Sequence, residues 1–98
     1  MAIAAITRMM FGADAKDDVL SFSREAAKLF PRQKGFRGIK TYLSDDGDEL
    51  VSVIEWETRA DHEACQQSPD FGPVLPGWII LLESGRVKFE VKVFAPFD

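Results

Sequence analysis

Leu50 to Phe71, LVSVIEWETRADHEACQQSPDF, is the stretch from which the fold can be read. Leu50, Ile54 and Trp56 fall on one side of an extended chain and Val51 and Val53 on the other. That spacing predicts a strand over Leu50 to Thr58, apolar on both faces. Thr58 fits a helix N-cap, with Asp61 at the third helical position, so a short helix is expected over Arg59 to Gln67. Ser68-Pro69-Asp70 then breaks it.

The same reading extends in both directions. Ala2 to Phe11 carries Ile3, Ala5, Met9 and Phe11 on one face and Ala2, Ala4, Ile6 and Met10 on the other, a second strand of the doubly covered kind. Asp14 to Phe30 is amphipathic at helical spacing through Val19, Phe22, Ala26, Leu29 and Phe30, with acids at its start and bases at its end. Pro31 and Gly35 stop it. Phe36 to Leu43 is a strand in which Gly38 suggests a bulge, and Asp45 to Asp48 is a hairpin turn by composition. After the break, Pro76 to Leu82 reads as a helix in preference to a buried strand, because Gly85 and a final strand follow at once. That strand, Arg86 to Phe94, alternates Val87, Phe89, Val91 and Val93 with Arg86, Lys88, Glu90 and Lys92, so one of its faces is polar.

The order β-α-β-β-α-β is ferredoxin-like: a four-stranded antiparallel sheet with helices on one face, of α+β class. Its first and third strands are central, and these are the two that are apolar on both sides. Helices cover one face only. The other face needs a second cover, and a homodimer with two sheets packed face to face supplies it.

Composition narrows the function. The chain has 98 residues, one domain's worth spanning 1–98, with 46% hydrophobic residues and a net charge of -4. An acidic balance argues against nucleic acid as a partner. A single cysteine, Cys65, excludes an internal disulfide and suits a reducing, cytoplasmic setting. The segment before Gly12 lacks a basic leader and is interrupted by Arg8, so it is not read as a signal peptide. No run approaches the ~18 apolar residues of a membrane span, so no membrane role is expected.

Gly35-Phe36, the acidic turn Asp45 to Asp48, Glu55-Trp56-Glu57-Thr58 and Ser68-Pro69-Asp70-Phe71 resemble the motifs of the antibiotic biosynthesis monooxygenase-like family of dimeric α+β barrels. The resemblance implies a homodimer and a small apolar pocket. It also implies, for some members, oxygenation of aromatic polyketide or quinol-type substrates with no metal or flavin. Other members degrade haem, using an Asn on the first strand, a Trp on the second helix and a His beyond it. This chain has no asparagine; Cys65 stands near the Trp position and Leu75 or a neighbour near the His position, which argues against haem degradation. The asparagine that the polyketide oxygenases place in their pocket is missing as well.

Cofactor-free oxygenation asks for a base, an oxyanion partner and a dry pocket. The expected bases are His62, Tyr42 and Glu55. The expected oxyanion partners are Arg8 and Thr7, on the first strand. The expected walls are Met9, Phe22, Phe36, Trp56, Phe71, Trp78 and Leu82. Each has a plainer role. His62 sits beside Asp61 and Glu63 and could be a solvated surface imidazole, Tyr42 could be edge-strand packing, and the tryptophans could be core or interface anchors. Arg8, a charge in a central strand, would then pair with Glu55, Glu57 or Glu90. Cys65 reads as a quiet thiol. One His and one Cys make a poor metal set, so neither a metal nor a cofactor is expected. Two functions compete: a cofactor-independent monooxygenase for a small aromatic or quinol-like metabolite, and a non-catalytic dimeric module that binds a small apolar ligand or a partner protein.

Overall fold

The computed structural model describes residues 2–98. Strand β1 (Ile3–Phe11) leads to helix α1 (Lys16–Ala27), strands β2 (Phe36–Leu43) and β3 (Glu49–Trp56), helices α2 (Arg59–Gln66) and α3 (Leu75–Glu83), and strand β4 (Val87–Phe94). The sheet order is β2-β3-β1-β4, every neighbouring pair antiparallel. This is the ferredoxin-like α+β arrangement, with β1 and β3 at its centre.

Local chemistry sets the boundaries. Helix α1 is shorter than the expected Asp14 to Phe30. At its start the Ala15 amide bonds the Gly12 carbonyl in a turn. At its end Pro31, which has no amide to give, lies in a 3-10 turn over Phe30–Arg32. Helix α2 opens as the sequence indicates: the Thr58 hydroxyl accepts from the Asp61 amide at 3.1 Å. Gly38 marks a register shift on β2, where Phe36 faces Trp56 and Gly38 faces Glu55. The chain from Leu75 to Glu83 is helical, with Pro76 in its first turn.

The sheet has two unlike faces. Residues 3, 5, 9 and 11 of β1 and 50, 52, 54 and 56 of β3 are buried beneath the helices. Two core clusters form there. One gathers Met9, Phe11, Ala15, Val19, Leu50, Leu81 and Val87. The other gathers Ile3, Ala5, Ile54, Trp56 and Cys65. Among the described residues no helix covers the opposite face, and Ala4, Ile6, Met10, Val51 and Val53 are half-buried on it. Arg8 stands on that open face and is exposed. Its guanidinium donates to Glu49 at 2.7 Å, so the direct ion pair is with Glu49 in place of the expected Glu55, Glu57 or Glu90, of which Glu90 faces Arg8 in register and acts on it only through its charge. Among the described residues no helix is long and apolar enough to cross a membrane.

Gly35 locks the β2 entrance to α2. Its φ is +79°, a conformation that disfavours side chains, and a methyl there would run into the Asp61 side chain. Its carbonyl accepts from the Glu57 amide at 2.9 Å. Gly35→Ala is therefore expected to lower the urea-unfolding free energy by about 1–3 kcal/mol. Gly38→Ala, where nothing lies within 4 Å of the new methyl, should cost much less. Equal costs would contradict the assignment.

Candidate functional site

Between the helices and the covered face of the sheet lies a cavity with two adjoining lobes. The larger, about 210 Å³, is walled by residues of all three helices and of β1, β3 and β4. The smaller, about 140 Å³, shares Thr7, Phe22, Ala26, Phe30, Ile54, Trp78 and Phe89 with it and adds Met9, Ile39, Thr41 and Ser52 of the sheet. The helical cover is incomplete on the β4 side: Phe89 and Val91 face the helices, yet remain 39% and 41% exposed. The cavity is therefore open on that side.

Aromatic rings build the walls in two groups. Trp78 stacks on Phe22 with ring centroids 4.7 Å apart and meets Phe89 edge-on at 5.0 Å. Phe30 meets Trp56 at 6.3 Å and Phe71 at 5.2 Å, both edge-on. Offset and edge contacts of this kind hold rings in fixed orientations. Gln33 ties the turn that carries Phe30 to the turn that carries Phe71. Its amide donates to the Leu29 carbonyl at 3.1 Å and to the Asp70 carboxylate at 3.0 Å.

His62, on α2, lines the larger lobe with Cys65 and Gln66. It is only 9% exposed and its ring centroid lies 6.3 Å from that of Trp56. The helix turns inward here, so His62 is not a solvated surface imidazole. Burial pushes its pKa below the ordinary 6.5, partly opposed by Glu63. It is therefore neutral at pH 7 and able to accept a proton. Burial also raises the Cys65 thiol to about 11, which leaves it protonated and inert.

The structure brings His62, Thr7, Met9, Phe22, Trp56, Phe71 and Trp78 to the cavity. It places the other sequence candidates elsewhere. Tyr42, 56% exposed, pairs with Val51 on the open face of the sheet. Arg8 and Glu55 share that face, because strand alternation sends their side chains away from the helices. Phe36 packs edge-on behind Trp56, at 5.9 Å, and lines neither lobe. Leu82 is 39% exposed on α3 and lines neither lobe. Sequence reasoning missed Phe30, Gln66, Phe89 and Val91 as walls, and Ser23, Thr41 and Ser52 as polar groups of the smaller lobe. Ser52 carried a signal: a hydroxyl at an inward position of an apolar strand. Among the described residues no three His, Cys, Asp or Glu side chains are grouped to hold a metal ion.

With this geometry in view, known proteins offer a comparison. A family model described as antibiotic biosynthesis monooxygenase matches residues 2–73. Among solved structures, the chain is similar to SnoaB, a cofactor-independent oxygenase from Streptomyces nogalater. The identity is 17% and the TM-score 0.81, over 99% of this chain and 94% of that one. It is similar to Rv0793 from Mycobacterium tuberculosis at 24% identity and TM-score 0.81, over 100% and 97% of the two chains. A conserved protein from Methanosarcina mazei Go1 follows at 13% identity and TM-score 0.77, over 96% and 91%. At such identities the likeness shows the fold alone. No curated protein matches the chain.

A depressed His62 pKa has a sign that can be measured. Between the folded value and 6.5 the unfolded chain holds the proton and the folded chain does not. The His62 contribution to stability is therefore complete above about pH 6.5 and is lost as pH falls through the folded pKa. The His62 ring protons should titrate by NMR with a midpoint below 6.5; a midpoint at or above 6.5 would contradict the burial argument.

Proposed function

The chain belongs to the antibiotic biosynthesis monooxygenase family, and from that premise we propose that it is a cofactor-independent monooxygenase for a small aromatic or quinol-like metabolite. The observation that carries this reading is a neutral, buried His62 on the wall of an aromatic-lined cavity. Flat apolar walls suit a planar ring and exclude water. His62 supplies the base, taking a proton from a phenol or from a methylene activated by a neighbouring carbonyl. The resulting anion reduces dioxygen. For an anthrone probe, the methylene carbon becomes a carbonyl and furnishes all four electrons. One oxygen atom enters that carbon and the other leaves as water, so no external reductant is consumed. Thr7 lines both lobes, and in this reading its hydroxyl donates to the anion. Arg8 and Tyr42, on the far face, have no part in this chemistry.

The open face of the sheet supports a second part of the proposal, a homodimer. Ala4, Ile6, Met10, Val51 and Val53 form an apolar centre there, with Lys40, Glu55, Lys88, Glu90 and Lys92 exposed around it. An identical face on a second copy covers the apolar centre and leaves the helix-side cavities free. Sedimentation at micromolar concentration is expected to show a dimer, and Val53→Asp to shift it to the 11.0 kDa monomer. A wild-type monomer would contradict this packing.

Oxygen uptake with anthrone tests the activity. One dioxygen per anthrone is expected, with anthraquinone as product. His62→Ala should lower kcat/KM by about 10²–10⁴-fold, whereas Tyr42→Phe should leave it within about twofold. The kcat/KM profile should be flat above pH 6.5 and fall below it as His62 takes up a proton. Tight anthrone binding without oxygen consumption would favour the ligand-binding module instead. Uptake undiminished in His62→Ala would remove His62 from the mechanism.

A further inference from the structure

One row of the covered sheet face breaks its apolar pattern. Met9, Leu50, Leu43 and Phe89 form one transverse row, and Ala5, Ile54, Ile39 and Val93 form another. Between them the register aligns Val91, Thr7, Ser52 and Thr41. Three adjacent strands thus present three hydroxyls side by side, buried at Ser52, half-buried at Thr7 and exposed at Thr41 on the sheet edge. Ser52 is only 7% exposed, at the centre of the sheet, where an aliphatic residue would pack without any desolvation cost.

These hydroxyls keep unused hydrogen-bonding capacity. Thr41 Oγ1 and Ser52 Oγ lie 2.9 Å apart and share one bond in which either donates. Two hydroxyls carry two hydrogens, so the pair retains one to give and lone pairs to receive. From the α1 side, Ser23 Oγ is buried with no hydrogen-bond partner among the described residues. Thr7, Ser23, Thr41 and Ser52 all line the smaller lobe, whose other walls are apolar. Neither lobe is lined by Lys, Arg, Asp or Glu.

We infer that the Thr7–Ser52–Thr41 row, with Ser23 opposite, is a recognition subsite for an uncharged oxygen substituent, a phenol hydroxyl or quinone carbonyl, on an aromatic ligand. The inference rests on the cavity being the ligand site and deepens it by naming the ligand's polar end. A hydroxyl serves a phenol as acceptor and a carbonyl as donor, so both fit. A carboxylate or phosphate does not, because among the described residues no Lys or Arg lines the cavity to offset its desolvation. With the oxygen anchored at the sheet, the remainder of the ring system extends past Trp78 and Phe22 into the larger lobe, where His62 stands. The row thereby sets which edge of the ligand faces the base.

Equilibrium dialysis with 1-naphthol, naphthalene and 1-naphthoate tests this without turnover. The wild-type protein should bind 1-naphthol about tenfold more tightly than naphthalene, the range of one or two net hydrogen bonds, and 1-naphthoate least. In the Ser52→Ala, Thr41→Val double variant the naphthol preference should collapse towards unity while naphthalene affinity is kept. Ser23→Ala, which leaves the sheet intact, should reduce the preference in part and serves if the double variant does not fold. Equal binding of naphthol and naphthalene by the wild type, or a preference that survives in every variant, overturns the subsite. Binding of none of the three overturns the cavity as a ligand site, and this inference with it. A row-dependent preference supports the subsite even where anthrone oxidation fails, so the two readings fail separately.

Discussion

Burial of Trp56 is the constraint from which the site follows. Its side chain is fully buried at the end of the central strand β3, in register with Ile3 on β1 and Phe36 on β2. Phe30 and Phe36 meet it edge-on, and His62 lies beside it. Removing such a ring from a core costs about 3–5 kcal/mol. Two residues later Thr58 caps α2, so the strand that buries Trp56 also fixes where α2 begins. One turn into that helix, His62 has little choice but to face inward. The indole is thus wall, core and positioning device together.

The cavity exists because the helical cover is short. Helices α2 and α3 have 8 and 9 residues, and the turn at Pro69–Phe71 separates them. Short helices joined by a turn cannot close over the middle of β4. A gap remains above Phe89 and Val91, rimmed by aromatic side chains too rigid to collapse into it. The same economy of chain leaves the other sheet face bare. One face therefore offers a cavity for a small molecule and the other a flat apolar surface for a second copy.

Element order, the central position of β1 and β3, the Thr58 cap and the Gly38 bulge were all readable from the sequence. Each rests on local rules: alternation, capping, and the behaviour of glycine and proline. The site was readable only in part. Alternation shows that neighbouring residues point to opposite faces but does not say which face the helices cover. Arg8 and Tyr42 are chemically attractive and lie on the far side, whereas Thr7, one residue from Arg8, lines the cavity. His62 looked like a surface residue because Asp61, Glu63 and Ala64 around it are polar or small. Its burial comes from Trp56 and the sheet, a tertiary effect that helix periodicity over eight residues does not convey. The hydroxyl row is invisible along the chain, since Thr7, Thr41 and Ser52 meet only through strand register.

The central claim is that ligand enters between helices and sheet, beside Trp56 and His62. Chemical-shift mapping on the ¹⁵N-labelled protein with 1-naphthol reads that location directly. The account predicts that the indole N–H signals of Trp56 and Trp78 and the amides of Thr7, His62 and Phe89 move together and saturate with one ligand per chain. Shifts confined to Ile6, Arg8, Tyr42 and Val53, on the open face, would contradict it.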